Sequence, residues 1–170
     1  MGKRGPKPGS GGRPKKALYD NLTDGNPGKR PLTVLGDNVN HEEQDFTPPA
    51  YMKDIPDAVA YFNNVVDWLK TTNCLGFIYP ETIAEYAMAK YRWQYCLKKN
   101  CEGLLAAHPT TGQPMQSPYV SMEWQYLKIA NDLWSTIWNI VKENSTVEFR
   151  VNNPNEDAME ALLQRNERKK

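Results

Sequence analysis

The stretch that most limits how this chain can fold lies between Ser117 and Lys142. Ser117 and Pro118 together make a helix start. A hydroxyl at the cap position can accept from an otherwise unpaired backbone N–H, and proline at the first helical position gives up an N–H that would have no partner there. Beyond them, at about 100° per residue, Tyr119, Met122, Tyr126, Ile129, Leu133, Ile137 and Ile140 fall on one face. Val120, Trp124, Leu127, Trp134, Trp138 and Val141 fall on the adjacent one. The two faces cover an arc of about 220°, wider than the apolar stripe of a helix with its back to water. A helix of this kind must be covered on two sides. One cover is a second helix of the same chain. The other is either the chain's first helix with its loop or a neighbouring subunit, and small cores often lean on association.

The spacing predicts two shorter helices before this one. The first runs from about Asp57 to Thr71, with Asp57 or Asp54 at its cap and Val59, Phe62, Val66 and Leu69 recurring at helical spacing. "NCLGFIYP" comes next as a turn, broken at Gly76. The second starts at Pro80 and reaches about Asn100. Ile83, Ala87 and Tyr91 form one stripe on it, and Tyr86, Trp93 and Leu97 another. "GLLAAHPTTGQPMQS" reads as a small β-hairpin or an ordered loop. The fold class is therefore mainly α: a helical hairpin core with a short β-hairpin or loop insertion, preceded by a disordered basic arm. The arm is residues 1–31, an acidic linker spans 32–56, the helical oligomerisation core spans 57–150, and a tail or short helix spans 151–170. In the tail, Asp157 to Arg168 is amphipathic, with acid first and base last as the helix dipole prefers.

Charge separates these regions. The net charge is +1. Residues 1–31 carry eight cations against two acids, a local charge of +6, and residues 32–60 carry one cation against six acids, a local charge of −5. The arm's cations are Lys3, Arg4, Lys7, Arg13, Lys15, Lys16, Lys29 and Arg30, interleaved with glycine and proline. Such a segment has too little apolar surface to offset the entropy of ordering. Within it, "ALYDNLT" offers Leu18, Tyr19 and Leu22 as a weak local anchor. An extended cationic segment can lie along phosphates, and an Arg between Gly and Pro can enter a narrow minor groove. The same composition also suits RNA, an acidic protein partner, the chain's own acidic linker or a solubilising tail. The acids Glu42, Glu43 and Asp45 read as a solvated linker that balances charge.

Several chemistries are missing from the pattern. Cys74, Cys96 and Cys101 include no C-x-x-C pair and read as reduced thiols, and His41 and His108 lack partners at ligand spacing. No cofactor or metal is expected. No Gly-x-Ser-x-Gly elbow or H-E-x-x-H pair occurs, so catalysis by this chain alone is not expected. No apolar run approaches the roughly 18 residues of a bilayer span, and the start of the chain has no apolar signal region. A soluble protein of the cytoplasm is the expectation. "GNPGKR" imitates a phosphate loop, but Gly25 and Gly28 are too close together and Arg30 stands where a hydroxyl is required.

At "GNPGKRPL" (residues 25–32), followed by an acidic linker and "PPAYM", the chain resembles the small subunits of tailed-phage terminases, in the branch that carries this box near its start. "LKTTNCLGFIYPETIAEYAMAKYRWQY" is similar to that family's leucine-glycine turn and acid-started helix with an aromatic end, and "GLLAAHPTTGQPMQSPYVS" to its Gly-Leu, loop and Ser-Pro-x-x-Ser approach to the long helix. The similarity covers roughly residues 25–143. It implies a mainly helical, ring-forming, non-catalytic subunit of a genome-packaging motor in the host cytoplasm. Such a subunit engages phage double-stranded DNA and regulates the large subunit, which supplies ATPase and nuclease. On that reading the arm and box contact DNA, with Lys29 and Arg30 foremost. Tyr126, Ile129, Leu133, Trp134, Ile137 and Trp138 on the long helix meet the next subunit. Where the family ends its long helix in a Ser-rich, Arg-containing segment, this chain keeps only Ser145 and Arg150. The alternative reading is a general nucleic-acid-binding adaptor with a basic arm.

Overall fold

A computed structural model describes residues 15–29, 31–32, 34, 45–150 and 153–155. It contains four α-helices: α1 (Leu18–Thr23), α2 (Pro56–Thr71), α3 (Pro80–Glu102) and α4 (Pro118–Asn144). Between α3 and α4 lies a two-stranded antiparallel hairpin, β1 (Leu105–Ala107) with β2 (Pro114–Gln116), in the register Leu105↔Gln116, Ala106↔Met115, Ala107↔Pro114. The fold is thus mainly helical with a small β-hairpin insertion.

The helix starts follow the local chemistry. Proline occupies the first turn of α2, α3 and α4, and the Ser117 hydroxyl accepts from Tyr119 N at 3.3 Å. Neither Asp54 nor Asp57 caps α2. The cap is Ile55, which has no side-chain hydrogen bond, and Asp57 lies in the first turn, where it favours the helix through the dipole. The end of α2 also differs from expectation. Asn73 takes φ +56° just past the C-cap Thr72, the left-handed conformation that asparagine tolerates better than most residues. Gly76 instead sits in a single 3-10 turn, Leu75–Phe77.

The α3–α4 pair is an antiparallel hairpin. Tyr86 meets Trp134 near one end, with ring centroids 5.3 Å apart, and Asn100 donates to Glu123 at 2.6 Å near the other. α2 lies against α3, and its Phe62, Val65, Val66, Trp68 and Leu69 are buried with Ile83, Ala84 and Ala87 of α3. The C-terminal half of α4 closes this core with Trp134, Ile137 and Val141. The segment after α4 folds back over it. Phe149 is 1% exposed and stands edge-on to Trp138 at 5.1 Å, and its carbonyl accepts from Trp68 Nε1 at 3.1 Å.

That return is fixed by Ser145. The residue is fully buried, and its hydroxyl donates to the carbonyls of Val147 (2.8 Å) and Thr72 (3.3 Å) and accepts from Val147 N (3.3 Å). It engages the carbonyl at the C-cap of α2 and both backbone groups of Val147, just past α4. Before α2, Asp45 accepts from the N and Oγ1 of Thr47, and Pro49 (φ −55°, ψ 152°) keeps the chain extended. The Ala50–Met52 turn then buries Met52 completely. The expected helix between Asp157 and Arg168, and the acids Glu42 and Glu43, lie outside the described residues.

Candidate nucleic-acid interface

The box grows out of α1. Ala17 and Leu18 are buried, and α1 packs on α4. Asn21 organises the chain reversal after α1. Its Nδ2 donates to Ala17 O (3.0 Å) and Lys16 O (3.3 Å), and its backbone carbonyl accepts from Asn26 N (2.8 Å). Gly25 (φ +70°) and Asn26 (φ +50°) then both take left-handed conformations and reverse the chain. Pro27 sits at the second position of a four-residue turn closed by Lys29 N donating to Asn26 O at 2.8 Å, a position that its fixed φ suits. Lys29 itself is exposed and left-handed, at φ +47°. The cost for a residue with a side chain is on the order of 1 kcal/mol. Residues 25–29 thus form a double turn that closes on an exposed lysine.

The chain then returns towards its start. Pro31 and Leu32 line one cleft of about 340 Å³ with Lys15, Lys16 and Leu18, against Glu143 and Asn144 at the end of α4. Lys15, Lys16, Pro31 and Leu32 therefore gather at one end of the molecule. Lys16 is paired with Asp24, whereas no ion pair among the described residues engages Lys15 or Lys29. Lys3, Arg4, Lys7, Arg13 and Arg30 lie outside the described residues.

One interaction at this end was not anticipated from sequence. Arg150 donates from two guanidinium nitrogens to the two carboxylate oxygens of Asp20, at 3.0 and 2.7 Å. The fork clamps α1 to the segment after α4, across 130 residues of sequence. The Arg150 guanidinium holds the Asp20 carboxyl below its ordinary range, and Asp20 in turn raises Arg150. Ser145 and Arg150 thus both fasten the chain to itself. An acid in a short helix and an arginine far downstream carry no spacing signal that could have paired them.

The six α4 residues expected at a subunit contact fall into two groups. Trp134 and Ile137 are inside the single chain's core, 8% and 0% exposed, and half-buried Trp138 stacks on Trp68 at 6.0 Å. Their second cover is α2 and the Phe149 segment. Tyr126, Ile129 and Leu133 instead line an open groove between α3 and α4, about 590 Å³ in volume, with Met88 of α3 and Tyr51. Arg92 lies over the Tyr126 ring at 5.7 Å, and Glu85 and Asp132 stand in the same groove. Ile129 is 46% exposed and Tyr51 61% exposed. This groove leaves apolar surface uncovered.

Little else among the described residues suggests chemistry. No three His, Cys, Asp or Glu side chains come together as a metal site there. Cys74 and Cys96 are buried, which raises both thiols above their ordinary range, and Cys101 is exposed. His108 shapes the hairpin turn, where its Nδ1 accepts from the backbone N–H of Thr110 (3.2 Å) and Thr111 (3.3 Å). No helix among the described residues is long and apolar enough to cross a membrane. In comparisons with protein-family models, curated proteins and solved structures, the chain matches none.

Proposed function

We propose that this chain is the non-catalytic DNA-recognition and regulatory subunit of a phage genome-packaging motor, a terminase small subunit. In that role it engages viral double-stranded DNA and modulates a large subunit that carries ATPase and nuclease. The observation that carries the reading is the box "GNPGKRPL", whose described start, residues 25–29, is a double turn that closes on exposed Lys29. A lysine held on a rigid turn loses less entropy when it settles on a phosphate than one on a floppy chain. The arm's excess of cations supplies the long-range attraction to a polyanion. The open groove at Tyr126, Ile129 and Leu133 supports self-association into a ring, because it leaves apolar surface on the helix with the widest apolar arc.

The test is DNA binding by the full chain as a function of salt. Removing one phosphate contact should reduce the slope of log K against log salt by about 0.9. Lys29→Ala with Arg30→Ala should therefore flatten the slope by about 2 and weaken binding on any sequence. Unchanged affinity and slope would remove the box from the interface. Binding to DNA and RNA alike, with no effect on the ATPase of a large terminase subunit, would favour the general adaptor.

A further inference from the structure

Two open surfaces of the chain differ in kind. One is the groove between α3 and α4, concave and lined by Met88, Tyr126, Ile129 and Leu133. The other is the β-hairpin at the end of the α3–α4 stem. The strand register puts Leu104, Ala106 and Met115 on one face of the hairpin and Leu105 and Ala107 on the other. Leu104 is 60% exposed, Met115 40% and Leu105 69%, so neither face is packed away. A two-stranded hairpin without a cover is marginal in water. This one is closed at both ends, by Ser117 N donating to Leu104 O and by His108 N donating to Gln113 O, each at 2.9 Å. A hairpin already held in shape loses less entropy on docking than a loose loop.

Charge sorts the two surfaces as well. In a chain that is 24% charged, no Asp, Glu, Lys or Arg occurs from Gly103 to Met122. At the hairpin turn stands His108. Its Nδ1 accepts from the N–H groups of Thr110 and Thr111, so the neutral ring carries its proton on Nε2, as a donor. The groove offers acceptors. Glu85 and Asp132 line it and are exposed, and no ion pair among the described residues engages either. Arg92, in the same groove, lies over the Tyr126 ring. An apolar knob with a donor and no acid thus matches an apolar groove with two carboxylates.

Knob and groove stand apart along the stem of one chain. α3 rises about 15 Å between Arg92, in the groove, and Glu102, before the hairpin. Among the described residues, none from the hairpin lines the groove. We propose that the β-hairpin of one copy docks in the α3–α4 groove of the next, with Leu104, Leu105 and Met115 against Met88, Tyr126, Ile129 and Leu133. The groove has a wall on each helix, which suits a knob that is apolar on both faces. A contact between unlike surfaces is heterologous: it repeats head to tail and closes into a ring when the rotation per step allows. The inference rests on the self-association proposed above and names the surfaces that carry it.

Two variants test it, each sparing one surface: Leu105→Asp with Met115→Asp in the hairpin, and Ile129→Asp in the groove. Circular dichroism checks that the helices of each are intact, and native mass spectrometry reads assembly. The full chain should assemble. Each variant alone should stay monomeric at concentrations about a hundredfold above those at which the full chain assembles. An equimolar mixture should give a one-to-one heterodimer, because the hairpin of the groove variant still meets an intact groove on the hairpin variant. A hairpin variant that assembles as well as its parent, or a mixture that stays monomeric, would overturn the hairpin contact and leave self-association standing. A full chain that is monomeric at every concentration would overturn both.

Discussion

The two halves of α4 are both rich in apolar residues and have opposite surroundings. Towards the C-terminus, Trp134, Ile137 and Val141 are buried against α2, α3 and the Phe149 segment. Towards the N-terminus, Met122, Trp124 and Ile129 are each at least a third exposed. Apolar content does not separate the halves, since a tryptophan stands in each. What separates them is reach: the fold-back of 145–150 ends over the far half, and only α3 runs the full length of the near one. The closed half therefore carries the stability of the single chain, while the near half holds surface still available for contact.

The largest effect should come from breaking the closed half. Phe149→Ala removes a ring that touches Trp138 and empties a site with 1% exposure. Urea unfolding should show a loss of about 3–5 kcal/mol. A loss below about 1 kcal/mol would mean that the fold-back is an ornament on a core complete without it.

A smaller effect concerns how α1 is fastened. The folded-state pKa of Asp20 is depressed below its ordinary 3.8, chiefly by its hydrogen bonds to Arg150. Its contribution is therefore present above the ordinary carboxylate value and lost as pH falls through the folded one. Acid should release α1 before the α2–α3–α4 core melts, visible as a Tyr19 signal that changes ahead of the tryptophans. Asp20→Asn should cost about 1 kcal/mol at neutral pH and remove that early acid step.

A smaller change in stability still is expected at the box. Lys29→Gly places the residue that tolerates φ +47° best where a lysine now stands. Stability should rise by between zero and about 1 kcal/mol, while DNA affinity falls. A fall in both would make the lysine a structural element of the turn instead of a contact.

Much of the fold was legible because its elements are long and their signals local. Pro80, the Ser117–Pro118 pair and the apolar periodicities place α3 and α4 to within about two residues. The insertion between them, read as a hairpin or a loop, came from Pro, Gly and short apolar runs. The illegible part depends on contacts distant in sequence. The wide apolar arc of α4 marked a helix needing two covers, yet it could not say that Trp68 and Phe149 provide one of them for Trp134 and Trp138. The Asp20–Arg150 fork and the Ser145 hydroxyl were equally silent, since an acid, an arginine and a serine are common at any surface. In the box, the left-handed conformations fall on Gly25, Asn26 and Lys29 and leave Gly28 out. Composition marks a turn; the hydrogen bonds from Asn21 decide its shape.

Self-association through the open groove is decided by weighing the full chain and its Ile129→Asp variant, by native mass spectrometry or light scattering. Ile129 lines the groove and takes no part in the closed core. A charge there should leave the stability of the single chain within about 0.5 kcal/mol. We expect a closed oligomer for the full chain and a folded monomer for the variant. A full chain that is monomeric at every concentration, or a variant that assembles as well as its parent, would refute assembly through this face.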